Sequence, residues 1–357
     1  MAFFPTHKPI AETPAGTMQK AAIWMPTKHM GNLLVSLRAI EALIQHFGAA
    51  NTTLVVDNAY RHIIDCFDPR CDVLYFPRAA LARPPWRTLP HLWPFLRSAR
   101  AIGADIAIAL EGDRPSQRLI PLSRPRHTLG PDNRYCRKFD RRIALDHGQL
   151  HRFHDYAAVV KAITGRDLDP GYPALSSRDE TRLQLEHRLA TLGIQPASPV
   201  TVLHPGATKH YKQWPLEHFA DLARQLHGQG HQLVITGAGD RDGVAVAGLQ
   251  QLAKVPLTSL HNQLGIAELV ALCQRAALFV GNDTGPTHLA AATGTRTVAV
   301  FGPTDEHRWG PMGDRVRIVR HQLPCPADCR RGRCSLDHRC LNTLTAEPVQ
   351  AAIAELP

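Results

Sequence analysis

A segment of small residues between two apolar stretches constrains the fold of this chain more than any other part. Residues 281–311 read GNDTGPTHLAAATGTRTVAVFGPTDEHRWGP. An apolar run over 276–280 precedes them, and the pattern predicts a strand, a turn, an alanine-rich helix over 289–292 and a second strand. Because the first backbone N–H groups of such a helix point into the turn, the segment predicts an anion-binding cradle in an α/β fold.

The turn Thr284-Gly285-Pro286-Thr287 has the residue types that such a cradle needs. Gly285 allows the backbone to approach a phosphate closely, and Pro286 suits the first turn of a helix. The hydroxyls of Thr284 and Thr287 can cap the helix or bind the ligand. An ordinary, well-capped helix is the better explanation of this turn taken alone, so the prediction depends on the rest of the chain.

A second strand, loop and helix are predicted over residues 201–226, TVLHPGATKHYKQWPLEHFADLARQL. A short apolar strand is followed by a polar loop over 204–213 and by an amphipathic helix that opens at Trp214-Pro215. Lys212 follows Thr208 by four residues, so an ammonium and a hydroxyl can meet two phosphates of one ligand. The alternative for Lys212 is a solvated loop lysine.

The first half of the chain alternates strand and helix patterns. We predict strands over 21–25, 53–56, 73–75 and 104–110, a loop over 26–32, a helix over 33–47 and a polar loop over 111–117. This βαβ order predicts a parallel sheet, whose ligands lie beyond the carboxyl ends of the strands. We therefore expect the loops 28–32 and 111–114 to face a cleft.

Three segments together resemble glycosyltransferase family 9, the ADP-heptose:lipopolysaccharide heptosyltransferases. They read HPGATKHYKQWPLEHF, VITGAGDRD and the segment 281–311 given above. The resemblance covers most of the chain, weakly before Leu150 and strongly after Val200. It implies an α/β fold of the GT-B type, with two Rossmann-like domains that face a central cleft.

A chain of 357 residues with 44% apolar residues is long enough to bury the two cores of such a fold. We expect a disordered leader over residues 1–20 and an acceptor-binding Rossmann-like domain over 21–175. A linker over 176–200 and a nucleotide-sugar-binding Rossmann-like domain over 201–357 complete the predicted organisation.

The resemblance also implies a reaction, the transfer of a heptose from ADP-heptose to a lipopolysaccharide inner-core acceptor with inversion at the anomeric carbon. Negative charge grows on the β-phosphate as ADP leaves, and Lys212, the Thr208 hydroxyl and the turn amides can stabilise it, so catalysis is expected to need no metal. The resemblance places at the donor site Thr208, Lys212, Asp283, Thr284, Gly285, Pro286, Thr287 and His288, with Asp240 or Asp242 on the ribose or adenine side.

The sequence departs from the family at the expected catalytic base. The family carries Gly-Asp in the first loop, whereas this chain has Gly31-Asn32, and an amide cannot accept the proton of an acceptor hydroxyl. Three explanations are open: another base, a transition state that needs little base, or a silent nucleotide-sugar-binding protein of envelope assembly. The candidate bases are His29, Glu111 and Asp113, with His29 the most economical because an imidazole of pKa ~6.5 is partly basic at neutral pH.

The formal net charge of +10 predicts attraction to polyanions. No nucleic-acid-binding motif appears, so we expect no nucleic-acid partner. An anionic, lipid-linked saccharide acceptor would be attracted to a basic cluster in the first half, for which a solvated loop is the alternative: Arg118, Arg124, Arg126, Arg134, Arg137, Lys138, Arg141 and Arg142.

Four of the eight cysteines fall within residues 325–340, CPADCRRGRCSLDHRC. Cys325, Cys329, Cys334 and Cys340, with His338 as a spare ligand, form either a structural zinc or iron site or a reduced, metal-free loop. Disulfides are disfavoured here because we expect a cytoplasmic protein without a signal peptide.

Residues 84–96, PPWRTLPHLWPFL, combine aromatic and basic side chains that suit a membrane interface. Pro90 and Pro94 argue against a long regular helix here. The alternative is a loop and a short helix packed on the N-terminal domain. No apolar stretch approaches the ~20 residues that span a bilayer, so we expect a cytoplasmic protein, with peripheral attachment to the inner membrane as an open alternative.

Overall fold

Two parallel β-sheets with helices on their faces make up the described part of this protein. The computed structural model describes residues 19–82, 85–145, 150–321, 323, 334 and 336–357, without the side chains of residues 81, 82 and 85–89. The predicted leader, residues 1–20, lies almost wholly outside the described residues. The α/β class predicted from the sequence is confirmed.

The first sheet is built from the first half of the chain. Its strands are β1 Ala21–Met25, β2 Thr52–Asp57, β3 Asp72–Phe76, β4 Ile106–Ala109, β5 His127–Pro131 and β6 Arg141–Ile143. They pair in parallel in the order β3-β2-β1-β4-β5-β6. Strands β1 and β4 are buried along their whole length because helices cover both faces of the sheet.

The second sheet repeats this arrangement in the second half of the chain. Its strands are β7 Val200–His204, β8 Gln232–Ile235, β9 Thr258–Ser259, β10 Leu278–Asn282, β11 Thr297–Phe301 and β12 Val316–Arg320. The order is β12-β11-β10-β7-β8-β9. In each sheet the first three strands add from the centre towards one edge, and the last three add from the centre towards the other edge. The direction of strand addition therefore reverses between β1 and β4 and between β7 and β10. Crevices at such switch points bind ligands.

Helices connect the strands and cover the sheets. In the first half they are α1 Met30–Phe47, α2 Arg61–Phe67, α3 Pro85–Ala101, α4 Arg114–Leu119 and α5 Arg152–Thr164. The later helices are α6 Asp179–Thr191, α7 Leu216–Gly228, α8 Gly239–Ala253, α9 Ile266–Arg275, α10 Gly285–Ala292, α11 Glu306–Trp309, α12 Arg339–Asn342 and α13 Ala346–Ala354.

One of the buried apolar clusters contains residues of both halves. Leu289 and Ala292 of α10 and Val270 of α9 join the buried cluster that α1, α5 and the first sheet form. Removal of this apolar surface from water stabilises the contact between the halves at roughly 25 cal/mol per Å². The starts of α1 and α10 are therefore held against each other at the carboxyl ends of the two sheets.

The structure corrects several predicted helix boundaries. Helix α1 starts at Met30 and not at residue 33, so Asn32 lies in its first turn and not in a loop. Helix α10 starts at Gly285 and not at residue 289, while α7 starts at Leu216, just after the predicted Trp214-Pro215. The error has one cause, since the small and polar residues of a first turn carry no apolar periodicity.

The prediction that prolines prevent a long helix over 84–96 was wrong. Helix α3 runs over 17 residues and contains both Pro90 and Pro94. Each proline removes one helix hydrogen bond, but burial of Phe95 against Trp24 and Phe76 fixes the helix on the first sheet. Tertiary packing overrides local propensity here.

Candidate functional site

At each switch point a polar contact joins the segments that follow the two central strands of the sheet. At the first sheet, Nδ2 of Asn32, just after β1, donates a hydrogen bond to Oε1 of Glu111, just after β4. At the second, Nζ of Lys212, after β7, lies 2.6 Å from Oδ2 of Asp283, directly after β10. The structure thus pairs residues that the sequence analysis nominated separately.

The two switch points meet where α1 and α10 begin. A Cβ atom placed on Gly31 would lie 3.1 Å from Cδ2 of His288, and one placed on Gly285 would lie 2.8 Å from Cβ of Met30. A larger residue at Gly285 would force α1 and α10 to shift, and one at Gly31 would crowd the ring of His288. Glycine at 285 is therefore needed for this helix contact, and its predicted close approach to a phosphate stays a prediction.

Glu111 is held from one side. Its side chain is 14% exposed, and Nη2 of Arg152, on α5, lies 3.7 Å from the same Oε1 that accepts from Asn32. Among the described residues, no hydrogen bond reaches Oε2 of Glu111. The carboxylate therefore keeps one oxygen available to a ligand.

His29 and Asp113, the other two candidate bases, have different surroundings. Asp113 caps α4, because its Oδ1 accepts hydrogen bonds from the backbone N–H and from the hydroxyl of Ser116, at 2.9 Å and 2.6 Å. Burial raises the pKa of Asp113. Partial burial lowers the pKa of His29, Glu111 opposes that shift, and the nearby cations, Lys28 first, add to it.

A cavity of about 510 Å³ opens beside these three side chains in the N-terminal half. Its wall carries the cations Lys28, Arg78, Arg114 and Arg134 as well as His29, Glu111 and Asp113. Arg78 is engaged with the carboxylate of Asp57 and the carbonyl of Pro26. Of the eight basic residues predicted as a cluster, Arg134 is the one that lines this cavity.

Lys212 and Asp283 form the corresponding contact in the C-terminal half. The side chain of Asp283 is 7% exposed and that of Lys212 is 25% exposed. A buried carboxylate therefore holds an ammonium group that is still partly open to solvent. Asn282, which the sequence analysis did not single out, fixes the loop: its Oδ1 accepts from the N–H of Trp214 at 3.0 Å, and its Nδ2 donates to the carbonyl of Pro205 at 2.9 Å. The GND segment was quoted, but an asparagine gives no sign of this role.

The start of α10 matches the predicted anion cradle in part. Thr284 is the N-cap residue, Pro286 lies in the first turn, and no side chain among the described residues caps the helix at Thr284. The first amides of α10 are therefore available to an anion. The buried Thr287 hydroxyl donates to the carbonyl of Asn282 at 2.6 Å, so it fixes the turn. The Thr284 hydroxyl lies 3.3 Å from that of Thr287 and is less buried.

His288 lies at the contact between the halves. It is buried, and burial lowers its pKa to about 4, so its imidazole is neutral at physiological pH. Its Nδ1 lies 3.5 Å from the hydroxyl of Tyr172, which also accepts a hydrogen bond from the N–H of Met312 at 3.2 Å. A neutral imidazole here can offer a hydrogen bond without adding a second cation beside Lys212.

The candidates for the ribose or adenine side differ in exposure. Asp242 accepts a hydrogen bond from the N–H of Ala238 at 2.9 Å, so its carboxylate stabilises the start of α8. Asp240 is exposed in the first turn of the same helix. Thr208 is exposed, and its carbonyl accepts from the guanidinium of Arg241, which lies between the two aspartates. Arg241 was missed by the sequence analysis.

A chain of ion pairs joins the C-terminal half to the Glu111 loop. Arg308, on α11, contacts the carboxylate of Asp155, on α5, and donates to the carbonyl of Leu150 at 2.8 Å. Asp155 is 3% exposed and also accepts from Nη1 of Arg152 at 2.5 Å. Arg152 in turn approaches Glu111. None of Arg152, Asp155 and Arg308 was singled out from the sequence, although Arg308 lies in the quoted HRWGP segment.

Only part of the cysteine cluster can be placed. Cys325 and Cys329 lie outside the described residues, whereas Cys334 and Cys340 are described, and the N–H of His338 donates to Sγ of Cys334 at 3.3 Å. Within the described part, no group of three or more His, Cys, Asp or Glu side chains is arranged to hold a metal. The ring of His338 stacks on Tyr211, in the Lys212 loop, with centroids 6.4 Å apart.

Two solved structures of glycosyltransferases have the same fold as this chain. A glycosyl transferase family 9 protein from Veillonella parvula superposes with a TM-score of 0.83 at 18% identity, covering 95% of this chain and 98% of its own. E. coli heptosyltransferase WaaC with ADP gives a TM-score of 0.73 at 20% identity, covering 94% and 99%. The GT-B fold implied by the sequence is thereby confirmed.

The sequence comparison identifies the family. The family model described as glycosyltransferase family 9 (heptosyltransferase) matches residues 93–339, so this chain belongs to that family. Lipooligosaccharide heptosyltransferase 2 of Campylobacter jejuni is 33% identical over 153 residues, which are 41% of this chain and 47% of that protein. The chain matches only about a third to a half of the length of such curated relatives.

Proposed function

We propose that this protein transfers a heptose from ADP-heptose to a saccharide acceptor of the lipopolysaccharide inner core. The observation that carries the proposal is the Lys212–Asp283 pair beside the start of α10, where no described side chain caps the helix. Membership of family 9 supports it, as do relatives named heptosyltransferases and a similar structure solved with ADP.

The donor side of the cleft supplies charge stabilisation. In the proposed reaction the acceptor oxygen attacks the anomeric carbon from the face opposite ADP, so the configuration inverts. The Lys212 ammonium, the Thr284 hydroxyl and the amides of α10 stabilise the charge that develops on the β-phosphate. These groups carry out that task with no divalent ion, and we propose metal-independent catalysis.

The nucleotide specificity of the wild-type protein tests this function. We expect calorimetric titration in EDTA to show ADP binding at least about tenfold tighter than UDP or GDP, a difference of about 1.4 kcal/mol. Transfer from ADP-heptose is then assayed with truncated inner-core saccharides that end before each successive heptose. Selective UDP or GDP binding would preserve the fold but reject the donor, and no nucleotide binding would reject the function. ADP binding without transfer to any acceptor would favour the silent binding protein that Asn32 suggested.

The acceptor is proposed to bind in the N-terminal cavity. Lys28, Arg114 and Arg134 give its wall a positive field that attracts phosphate or carboxylate groups on an inner-core saccharide. No helix among the described residues has the length and apolar character to cross a membrane. Trp93, 59% exposed on α3 beside the exposed Arg97 and Arg100, supports peripheral attachment of a cytoplasmic enzyme to the inner membrane.

A structural zinc or iron ion in the cysteine loop is a further part of the proposal. The Nε2 atom of His338 is buried and has no hydrogen-bond partner among the described residues, which suits a metal ligand. The ion would tie the loop to Tyr211 and thus to the Lys212 loop. We expect elemental analysis of purified protein to find about one zinc or iron per chain, and substoichiometric amounts of both would exclude the site.

A further inference from the structure

We infer that Glu111 is the general base of the transfer reaction and that Asn32, Arg152, Asp155 and Arg308 are the residues that position it. The inference rests on the proposed function. It names a base for this chain, in which Asn32 occupies the position of the family's catalytic aspartate. It is carried by the contacts around the carboxylate and by the ion pairs that lead away from it.

The position of Glu111 matches that of the missing base. Strands β1 and β4 are neighbours in the sheet, so the residues that follow them lie at the same switch point. The Asn32 amide donates directly to the Glu111 carboxylate. The carboxylate that the family has at position 32 is absent here, and the Glu111 carboxylate lies one hydrogen bond away from that position.

The contacts of Glu111 leave it suited to accept a proton. Asn32 and Arg152 both act on Oε1, which orients the carboxylate, and Oε2 has no hydrogen bond from any other described residue. Glu111 also lines the cavity proposed for the acceptor. A hydroxyl bound there can reach the unoccupied oxygen.

The other candidates fit less well. Both Asp113 hydrogen bonds end on Oδ1 and tie it to the first turn of α4, so its place is set by helix capping. Burial and the cations Lys28, Lys212 and Arg78 disfavour the imidazolium that proton transfer to His29 would produce, and Glu111 only partly opposes them. Nearby cations lower the proton affinity of a carboxylate as well, so geometry decides between the two: Glu111 is hydrogen-bonded to Asn32, at the family position of the base, and keeps Oε2 without a hydrogen bond from any other described residue.

The ion pairs provide the positioning. Arg308 belongs to the C-terminal half, and its contact with Asp155 holds the acid that fixes Arg152 beside Glu111. The carboxylate is therefore set correctly when the donor half lies against the acceptor half. This arrangement couples the geometry of the base to assembly of the complete cleft.

The proton and electron balance of the step is simple. The acceptor oxygen forms a bond to the anomeric carbon, and the bond from that carbon to the β-phosphate oxygen breaks with its electron pair leaving on ADP. The hydroxyl proton moves to Oε2 of Glu111. It passes to water after release of the product, which regenerates the carboxylate.

The first test replaces the carboxylate. Glu111→Gln is expected to lower kcat by about 10²–10⁴-fold with ADP affinity unchanged, using ADP-heptose and the best acceptor found above. Glu41→Gln, an exchange of a carboxylate on α1 paired with Arg38, is the control and should keep wild-type kcat. The double variant Asn32→Asp/Glu111→Gln places a carboxylate on the other side of the same hydrogen bond. Its kcat should be at least tenfold higher than that of Glu111→Gln. A merely structural role of Glu111 would not give this recovery.

The second test asks whether Arg308 acts through Glu111. Arg308→Gln should lower kcat about tenfold in the wild-type background and leave it unchanged in the Glu111→Gln background, because coupled residues are not additive. Arg308→Lys keeps the charge and should retain most of the activity. If Arg308→Gln does not fold, the activity of Arg308→Lys is the measurement to use. Equal losses from Arg308→Gln in both backgrounds would overturn the positioning role.

The outcomes separate the base from the reaction. A fully active Glu111→Gln enzyme, or a loss found only in His29→Asn, would overturn Glu111 as the base while the transferase function stands. A wild-type protein that transfers from no ADP-sugar would overturn the function and the base with it.

Discussion

Replacing Lys212 with alanine is expected to lower kcat for heptose transfer by about 10²–10³-fold, or about 3–4 kcal/mol of transition-state stabilisation. The ammonium lies 2.6 Å from buried Asp283 at the mouth of the donor crevice, so its position is set before the donor binds. A preorganised charge costs no reorganisation as the β-phosphate gains charge. Steady-state kinetics and ADP calorimetry on the same preparation measure both effects.

The pattern of losses identifies the role of Lys212. If it stabilises the departing phosphate, kcat falls more than ADP affinity, because part of the interaction forms only in the transition state. Lys209→Ala, three residues earlier in the same loop and exposed, should change kcat less than about threefold, which is under 1 kcal/mol. An equal loss in both variants would mean that general loop charge, and not this ammonium, is responsible.

Much of the C-terminal half could be predicted because its signals are local. An apolar run followed by Thr284-Gly285-Pro286 predicts a strand and a helix start within a few residues, and both are present. Which of the two threonine hydroxyls is bonded to the backbone of the turn was not predictable. Thr284 and Thr287 look alike in sequence, and only the fold places the Thr287 hydroxyl on the carbonyl of Asn282.

The N-terminal half was less predictable because its key contacts are distant in sequence. Asn32 and Glu111 are 79 residues apart, and Arg308 and Asp155 are 153 apart. In a sequence, Asp155 reads as one more polar position on an amphipathic helix. Its 3% exposure follows from the packing of α5 against α1 and the sheet and from the contacts with Arg152 and Arg308, which no local pattern encodes. The sequence showed that Asn32 replaces the family aspartate, but it did not show that the Glu111 carboxylate contacts this position.

Asp155→Asn is expected to destabilise the protein by about 3–5 kcal/mol, the usual effect of breaking a buried ion pair. The carboxylate is almost completely buried between the guanidinium groups of Arg152 and Arg308. Asparagine keeps the volume but removes the charge, so two mostly buried guanidinium groups lose the carboxylate that they share. Because the pair joins the two halves of the chain, we expect the loss to appear as a lower midpoint of urea unfolding and as a separate transition for each half.

Asp221→Asn is the matched control for this effect. Asp221 also pairs with an arginine three residues away, Arg224, but its side chain is 48% exposed, so the change should cost at most about 0.5–1 kcal/mol. Burial, and not the presence of an i,i+3 ion pair, is then the cause of the difference between the two variants. Equal midpoints for Asp155→Asn and Asp221→Asn would show that the Arg308–Asp155 contact contributes nothing in solution, and would remove the structural basis for coupling the donor half to Glu111.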